Sequence, residues 1–397
     1  MAVSTAAMTQ ARGPGWNPLR CDGTILPANL LLMAKLIALC LLLTNHVRLL
    51  PDPFLPFVPV FDWIGAPAAF QLALQVVFVI SAVALLFNRW VRASCLALGG
   101  SILIGVISSK AYYGNNKTFC GLMLFLTGLY EPGQEPWLLR IQFAIVYFGA
   151  GLNKLLDPDW QSGVFMEHWA TVRLKQAAYI AVASQLPPLL LAKLMCWGTI
   201  AAELGISAAF LVRRWFNAGI MASLLFQSAL MLFTGTTFTM FFYATQAALL
   251  VFVEWPRERW LVVYDGDCGF CTRAKEWFER FDLEGLFEWR PYQSGAGRVH
   301  GISDDDAADR LYLVAGSKIY SGFRAFRAML LFNPVTYFAI AVLIAAPRGD
   351  AALYRRIVVS GLLAFFLPPF APVGEWVYRL IARNRYRLSP NSACATR

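Results

Sequence analysis

Between Leu30 and Val253 the chain returns repeatedly to long apolar stretches, and nothing else in it constrains the fold as strongly. Leu30–Leu50, Pro67–Phe87, Ala93–Ala111, Phe119–Tyr130, Leu138–Leu156, Leu190–Val212, Phe216–Phe233 and Thr237–Val253 each read as a helical span. Most approach the roughly 20 residues a helix needs to cross a bilayer core. Phe119–Tyr130 is shorter and suits a broken or re-entrant helix as well as a crossing. The composition agrees: 58% of residues are hydrophobic and 15% charged, against about 25% charged in an ordinary soluble domain. The pattern predicts an all-α membrane bundle of about eight spans with the lipid bilayer as its first partner.

The basic residues orient it. Arg12 and Arg20 precede the first span, Arg89 and Arg92 follow the second, Arg213 and Arg214 follow the sixth, and Arg257 and Arg259 follow the eighth. Eight crossings bring all four groups to one side, which the positive-inside rule makes cytoplasmic. The expected location is a bacterial inner membrane with both termini in the cytoplasm. The net charge of +10 is then a topology signal; no zinc-finger, helix-turn-helix or RNA-binding pattern accompanies it, so no nucleic-acid partner is expected. Residues 1–27, rich in Ala, Gly, Pro and Thr, predict a disordered N-terminus without a cleaved signal peptide. The long connection Asp157–Pro188 carries Trp160 and Trp169, and loops of that length are usually functional.

After the apolar run the character changes at Leu261–Phe281, LVVYDGDCGFCTRAKEWFERF. Leu261–Tyr264 reads as a buried strand, Asp265-Gly266-Asp267 as a turn, and Phe270, Ala274, Trp277, Phe278 and Phe281 recur at helical spacing. A strand therefore feeds a turn, and Cys268 and Cys271 sit at a helix N-terminus, where a thiolate is stabilised. Cys268 is expected to be exposed with a lowered pKa and to attack; Cys271, a turn inside, resolves the mixed disulfide. Asp265 and Asp267 either assist proton transfer or supply turn and cap chemistry. The competing reading is a zinc site completed by Cys394 and His300, although a second close-spaced ligand pair is missing. Of the eight cysteines, Cys40, Cys95 and Cys196 lie within apolar segments and read as buried small residues.

The YDGDCGFC stretch resembles the DCC-type thioredoxin-like family of thiol-disulfide oxidoreductases. Gly322-Phe323-Arg324-Ala325 looks like that family's late strand-to-helix step, and Tyr378–Tyr386 (YRLIARNRY) is close to its C-terminal signature, with Cys394 beyond. The resemblance, over about Trp260–Cys394, implies a small α/β thioredoxin-like domain at 256–397 with a CxxC active site. The apolar stretch Pro334–Pro372 stands out as an insertion.

Within the bundle, at 28–255, the richest polar stretch is Tyr147–Gly163, YFGAGLNKLLDPDWQSG. Lys154, near a helix end after Gly149-Ala150-Gly151, reads either as a snorkelling lysine beside a small-residue packing face or as a desolvated base. This stretch resembles the core motif of the HTTM (horizontally transferred transmembrane) domain, shared with vitamin K-dependent gamma-carboxylase. The resemblance, over roughly Leu30–Glu254, implies that Lys154 is a base acting on a lipophilic cofactor. It further implies a quinone or vitamin K-like molecule near Asn116, Lys117, Trp160, Glu203 and Gln227. Lys117 and Gln227 stand where the family has histidines, and a redox segment replaces the carboxylase's large lumenal region. A purely structural reading pairs Glu203 with Gln227 as an interhelical hydrogen bond, worth about 1 kcal/mol.

Three functions follow. The first is a membrane-anchored thiol-disulfide oxidoreductase acting through Cys268 and Cys271, with a redox partner protein or a quinone-like small molecule at the membrane domain. The second is a carboxylase-like membrane enzyme with Lys154 as base. The third is a non-enzymatic sensor or assembly factor.

Overall fold

The computed structural model describes residues 16–47, 58–63, 67–235, 237–345, 349–367 and 370–388. The chain forms two compact units. One comprises residues 24–253 together with 345–356; the other comprises residues 1–23, 254–344 and 357–397.

In the first unit, helices α1 (Ala28–Leu43), α2 (Pro67–Leu86), α3 (Val91–Ser108), α4 (Asn115–Leu129) and α5 (Trp137–Leu156) are followed by short helices α6 (Pro158–Ser162), α7 (Val164–His168) and α8 (Ala177–Ala183). Helices α9 (Leu190–Leu211), α10 (Phe216–Thr234) and α11 (Thr239–Leu249) complete the run. Each of the eight expected spans contains a helix. Among the described residues, four stretches are long and apolar enough to cross a membrane: Ala68–Leu86, Val91–Ser108, Leu190–Leu211 and Arg213–Thr234. Two bent helix pairs raise that number to six, and Ala28–Leu43 and Thr239–Phe252 are shorter apolar helices.

The bundle's interior is built on close approach rather than on an apolar driving force, as lipid requires. Helix α1 is sunk in it, with Leu31, Leu32, Met33, Ala34 and Ile37 fully buried. Helices α5 and α9 touch at Gly151: a Cβ there would lie 2.9 Å from the Leu204 side chain and 3.3 Å from the Glu203 Cβ. Of the small residues expected to pack before Lys154, Gly151 makes this contact, whereas a Cβ at Gly149 would meet nothing within 4 Å. Ser207 of α9 donates to the Ala144 carbonyl of α5 at 2.8 Å. At the other end of the pair, Arg140 donates to the carbonyls of Phe210 and Leu211, at 2.5 and 3.2 Å, as α9 ends. The connection at 157–188 is organised: Asp157 caps α6 by accepting from the Asp159 N–H at 2.9 Å, with Pro158 at the first helical position. It also includes a π-helical turn, Trp169–Arg173.

The second unit carries a four-stranded sheet of β1 (Trp260–Tyr264), β2 (Phe287–Pro291), β3 (Tyr312–Ala315) and β4 (Lys318–Ser321), in the order β2-β1-β3-β4. Strand β1 pairs parallel with β2 (Val262 opposite Trp289) and antiparallel with β3 (Val262 opposite Leu313). Helix α12 (Gly269–Phe281) supplies the crossover connection that a parallel β1–β2 pair requires. This is a thioredoxin-like arrangement. Alternation along β1 splits the core: Val262 faces Leu286, Leu313, Ala325 and Met329, and Val263 faces Tyr292, Ile302 and Val314.

Helix α13 (Asp304–Asp309) is capped by Ser303, and β4 passes directly into α14 (Gly322–Leu331), the strand-to-helix step read from the sequence. The apolar insertion forms α15 (Pro334–Ala345) and α16 (Ala351–Phe366), followed by α17 (Ala371–Leu388). Helices α14 and α15 meet at 77°, and α16 and α17 at 80°.

One expectation for the termini needs revision in part. Residues 1–15 of the N-terminus expected to be disordered lie outside the described residues, as does Cys394. Within the second unit, however, Cys21 is fully buried, and its N–H donates to Glu284 Oε1 at 3.0 Å. That stretch is held because a partly buried carboxylate accepts from its backbone.

Candidate functional site

The redox site grows out of the β1–α12 junction. Cys268 is the N-cap of α12, and its sulfur accepts the Cys271 N–H at 3.4 Å. Burial runs opposite to the expectation: Cys268 is fully buried, and Cys271 is partly exposed. The reason is the cap itself, which turns the Cys268 side chain back over the first helical turn. The expected depression of its pKa stands. Its thiol is pulled down to about 6, first by the hydrogen bond from the Cys271 thiol, then by N–H groups of the first turn and by the Arg385 charge, against the cost of burial. Cys271 is pushed up, because it donates to Cys268 and is itself desolvated. The two are free thiols.

Asp265 lies beneath them, 3% exposed. One carboxylate oxygen accepts from the Asp267 N–H and from Gln293 Nε2, both at 3.1 Å. The other lies 3.4 Å from Arg385 Nη2. Asp265 is thus a charge-paired organiser of the turn, whereas Asp267 is exposed. Arg385 also donates to the carbonyls of Ala308 and, at 3.1 Å, of Asp309. The Tyr378 hydroxyl accepts the Leu311 N–H at 2.8 Å. Tyr378, Ile381, Ala382 and Arg385 join Asp265 and Cys271 around a small cavity of about 50 Å³. The C-terminal signature is therefore one wall of the dithiol site. Arg385 and Gln293 were not singled out from the sequence: the signature gave Arg385 a place but no role, and nothing local connects Gln293 to a turn 28 residues earlier.

A larger cavity, about 950 Å³, lies along the same helix within this unit and is lined by Phe270, Trp277, Phe281, Phe326 and Phe365, with Arg273 among its few polar residues. Among the described residues no three His, Cys, Asp or Glu side chains are placed to hold a metal. His300 is exposed, and the zinc reading's third ligand, Cys394, lies outside the described residues.

In the bundle, Lys154 reaches across to Glu203, Nζ lying 2.9 and 2.8 Å from the two carboxylate oxygens. Trp160 closes over the ammonium at 5.2 Å. The Glu203–Gln227 pair expected from the sequence does not form, because each residue finds a partner on α5. Gln227 donates to the Tyr147 hydroxyl at 3.0 Å, and that hydroxyl meets Ser223 Oγ at 2.7 Å. Gln227 Oε1 has no partner among the described residues, although Gln227 is 1% exposed. Tyr147 and Lys154, seven apart on α5, gather Glu203, Gln227 and Trp160 along one side of that helix. Asn116 and Lys117 belong elsewhere: Asn116 Oδ1 accepts the Lys117 N–H at 2.9 Å, and Lys117 donates to the Tyr112 carbonyl at 2.7 Å.

A helical membrane bundle joined to a thioredoxin-like unit with a CxxC at a helix N-terminus defines a membrane protein of thiol redox type. Comparison with protein families agrees. Residues 129–256 match the HTTM domain, and residues 262–360 match the DCC1-like thiol-disulfide oxidoreductase. The chain is an HTTM domain followed by a DCC1-like thiol-disulfide oxidoreductase domain, and so in general terms an integral-membrane thiol-disulfide oxidoreductase. The matched stretches begin at the end of α4 and stop short of α17. No curated protein and no solved structure matches the chain.

Proposed function

We propose that the chain transfers electrons through Cys268 and Cys271, with Cys268 as the attacking group. The observation that carries this is the cap: the Cys268 sulfur accepts the Cys271 N–H in the first turn of α12 and a hydrogen bond from the Cys271 thiol, which together favour its thiolate. The thiolate attacks one sulfur of a substrate disulfide, forming a mixed disulfide and expelling a substrate thiolate, which takes a proton. Cys271, deprotonated, then attacks Cys268 Sγ, releasing the second substrate thiol and leaving the Cys268–Cys271 disulfide. Two electrons and the Cys271 proton leave the pair, a second proton comes from solvent, and the substrate disulfide becomes two thiols. Asp265 and Arg385 hold the turn in place. A Cys271→Ser variant should accumulate the mixed disulfide through Cys268, and its recovery identifies the partner; recovery of adducts only through Cys271 in the converse variant would reverse the assignment.

A second reading places a lipophilic quinone-like molecule in the bundle beside Gln227. Its support is the unpartnered amide oxygen, which accepts from a hydroxyl or, with the amide turned over, presents a donor to a carbonyl. Such a molecule when bound would accept two electrons and two protons. Lys154, ion-paired with Glu203, would supply charge at that site. Extraction of the purified full chain with organic solvent tests this: a quinone recovered from wild type and depleted from Gln227→Leu supports it, and equal recovery from both overturns it. Both termini are proposed to be cytoplasmic on the basic-residue pattern, which reporter fusions after Val253 examine.

A further inference from the structure

Helix α17 has two faces, and only one is used by its own unit. Gly374, Glu375, Tyr378, Ala382 and Arg385 face inward. Glu375 accepts the Phe323 N–H at 3.2 Å, Tyr378 accepts from Leu311, and Arg385 pairs with Asp265. Gly374 is as close as a residue can come, since a Cβ there would fall 2.2 Å from the Phe323 ring. The opposite face presents Val373, Trp376, Val377 and Leu380, spaced by three and four, with Ile381 at its edge beside the dithiol cavity. The four are 61, 65, 41 and 52% exposed. A contiguous exposed stripe of this kind, unlike scattered single residues, marks an interaction surface. Arg379 and Arg383 flank it. Both are exposed; Arg379 touches Glu375 at 3.4 Å, and Arg383 has no acidic partner among the described residues.

We infer that α17 is an in-plane amphipathic helix that lies on an anionic lipid surface. An apolar stripe carrying a tryptophan, bordered by arginines, matches the requirements of the bilayer interface: the stripe enters the headgroup region while the guanidinium groups meet lipid phosphates. A soluble protein partner does not explain why the border is basic on a chain already held at a membrane. The same helix walls the dithiol cavity and holds Asp265 from its other face. Lipid seating therefore fixes the wall of the redox site, and it sets the face on which a substrate can approach. This inference is independent of which cysteine attacks.

The experiment is photo-crosslinking in the full chain, reconstituted in nanodiscs of phosphatidylcholine alone or with 30% phosphatidylglycerol. Benzoylphenylalanine replaces Trp376, and in a control replaces Val299, an exposed position of the same unit outside α17. Lipid adducts at 376 but not at 299, several-fold more abundant in the anionic discs, are expected. Arg379→Gln with Arg383→Gln should remove most of that enhancement. Adducts from 376 to a second copy or to another protein, or none, overturn the inference. Lipid adducts of equal yield in both disc types overturn its electrostatic half.

Discussion

Arg385 Nη2 and Asp265 Oδ2 meet 3.4 Å apart, 120 residues distant in sequence, with both side chains almost wholly withdrawn from water. The pair ties the last helix of the chain to the turn that presents the dithiol. Removing one member of a buried pair costs about 3–5 kcal/mol, because the other charge stays behind. Arg385→Leu is therefore expected to lower the melting temperature of the detergent-purified chain by several degrees and to raise the Cys268 pKa, since the Arg385 charge helps depress it. Arg385→Leu combined with Asp265→Asn should recover most of the stability. Melting curves and the pH midpoint of Cys268 alkylation are the readouts; a single variant as stable as wild type removes the tie.

The inverted burial of the cysteines makes a second prediction. Cys268 is the better nucleophile by ionisation, yet it is fully buried, whereas Cys271 is partly exposed and carries the raised pKa. Small reagents should discriminate by ionisation and large ones by access. Iodoacetamide at pH 7 is expected to modify Cys268 first, and a bulky maleimide should react there at least tenfold more slowly. In Cys271→Ala the alkylation midpoint of Cys268 should move up from about 6, because the largest stabilising hydrogen bond is gone. Peptide mapping after timed labelling decides it, and initial labelling at Cys271 by both reagents would contradict the assignment.

These two cases show what the residues alone could and could not give. The β1–turn–α12 unit is local: its alternation, its Asp-Gly-Asp turn and its helical spacing all sit within some twenty residues, so the strand, the helix and the N-terminal placement of the CxxC were legible. The cap's rotamer was not, because which way a cysteine turns depends on what packs around the first helical turn. Nor was the Asp265–Arg385 pair, whose partners are joined only by folding. In the bundle, periodicity placed eight helices, yet the partner of Glu203 followed from where α5 and α9 meet at Gly151, which no apolar pattern encodes.

Lys154 and Glu203 provide the third prediction. Glu203 is 6% exposed on an interior helix face, and both its oxygens contact the ammonium. Lys154→Met should destabilise the bundle by about 3–5 kcal/mol by leaving that carboxylate unpaired, and Lys154→Met with Glu203→Gln should restore most of it. Thiol-disulfide exchange by the DCC1-like domain is expected to survive in the double variant. If the double variant is stable but exchange is lost, the bundle's polar residues take part in the electron transfer and are more than packing.

The last prediction concerns pH. Glu284 is pushed up from an ordinary value of 4.5 to about 7, chiefly by burial, with Asp22 and Asp282 adding repulsion against the N–H of Cys21 and the indole of Trp255. The folded protein thus holds a proton that the unfolded chain releases near 4.5. Below that pH both states are protonated and Glu284 contributes nothing to the pH dependence. As pH rises from 4.5 through 7 the unfolded state ionises first and stability falls; above about 8 both are ionised and the loss is complete. A tenfold change in proton affinity is worth about 1.4 kcal/mol, and with Glu284 only partly buried the total loss is about 2 kcal/mol. Glutamine keeps an oxygen for the Cys21 N–H, gives up the second acceptor that the Trp255 indole meets at 3.4 Å, and removes the charge. Glu284→Gln should therefore melt several degrees above wild type at about pH 8 and with it near pH 4.5. A difference of the same size at both pH values would show that packing, not ionisation, separates the two proteins.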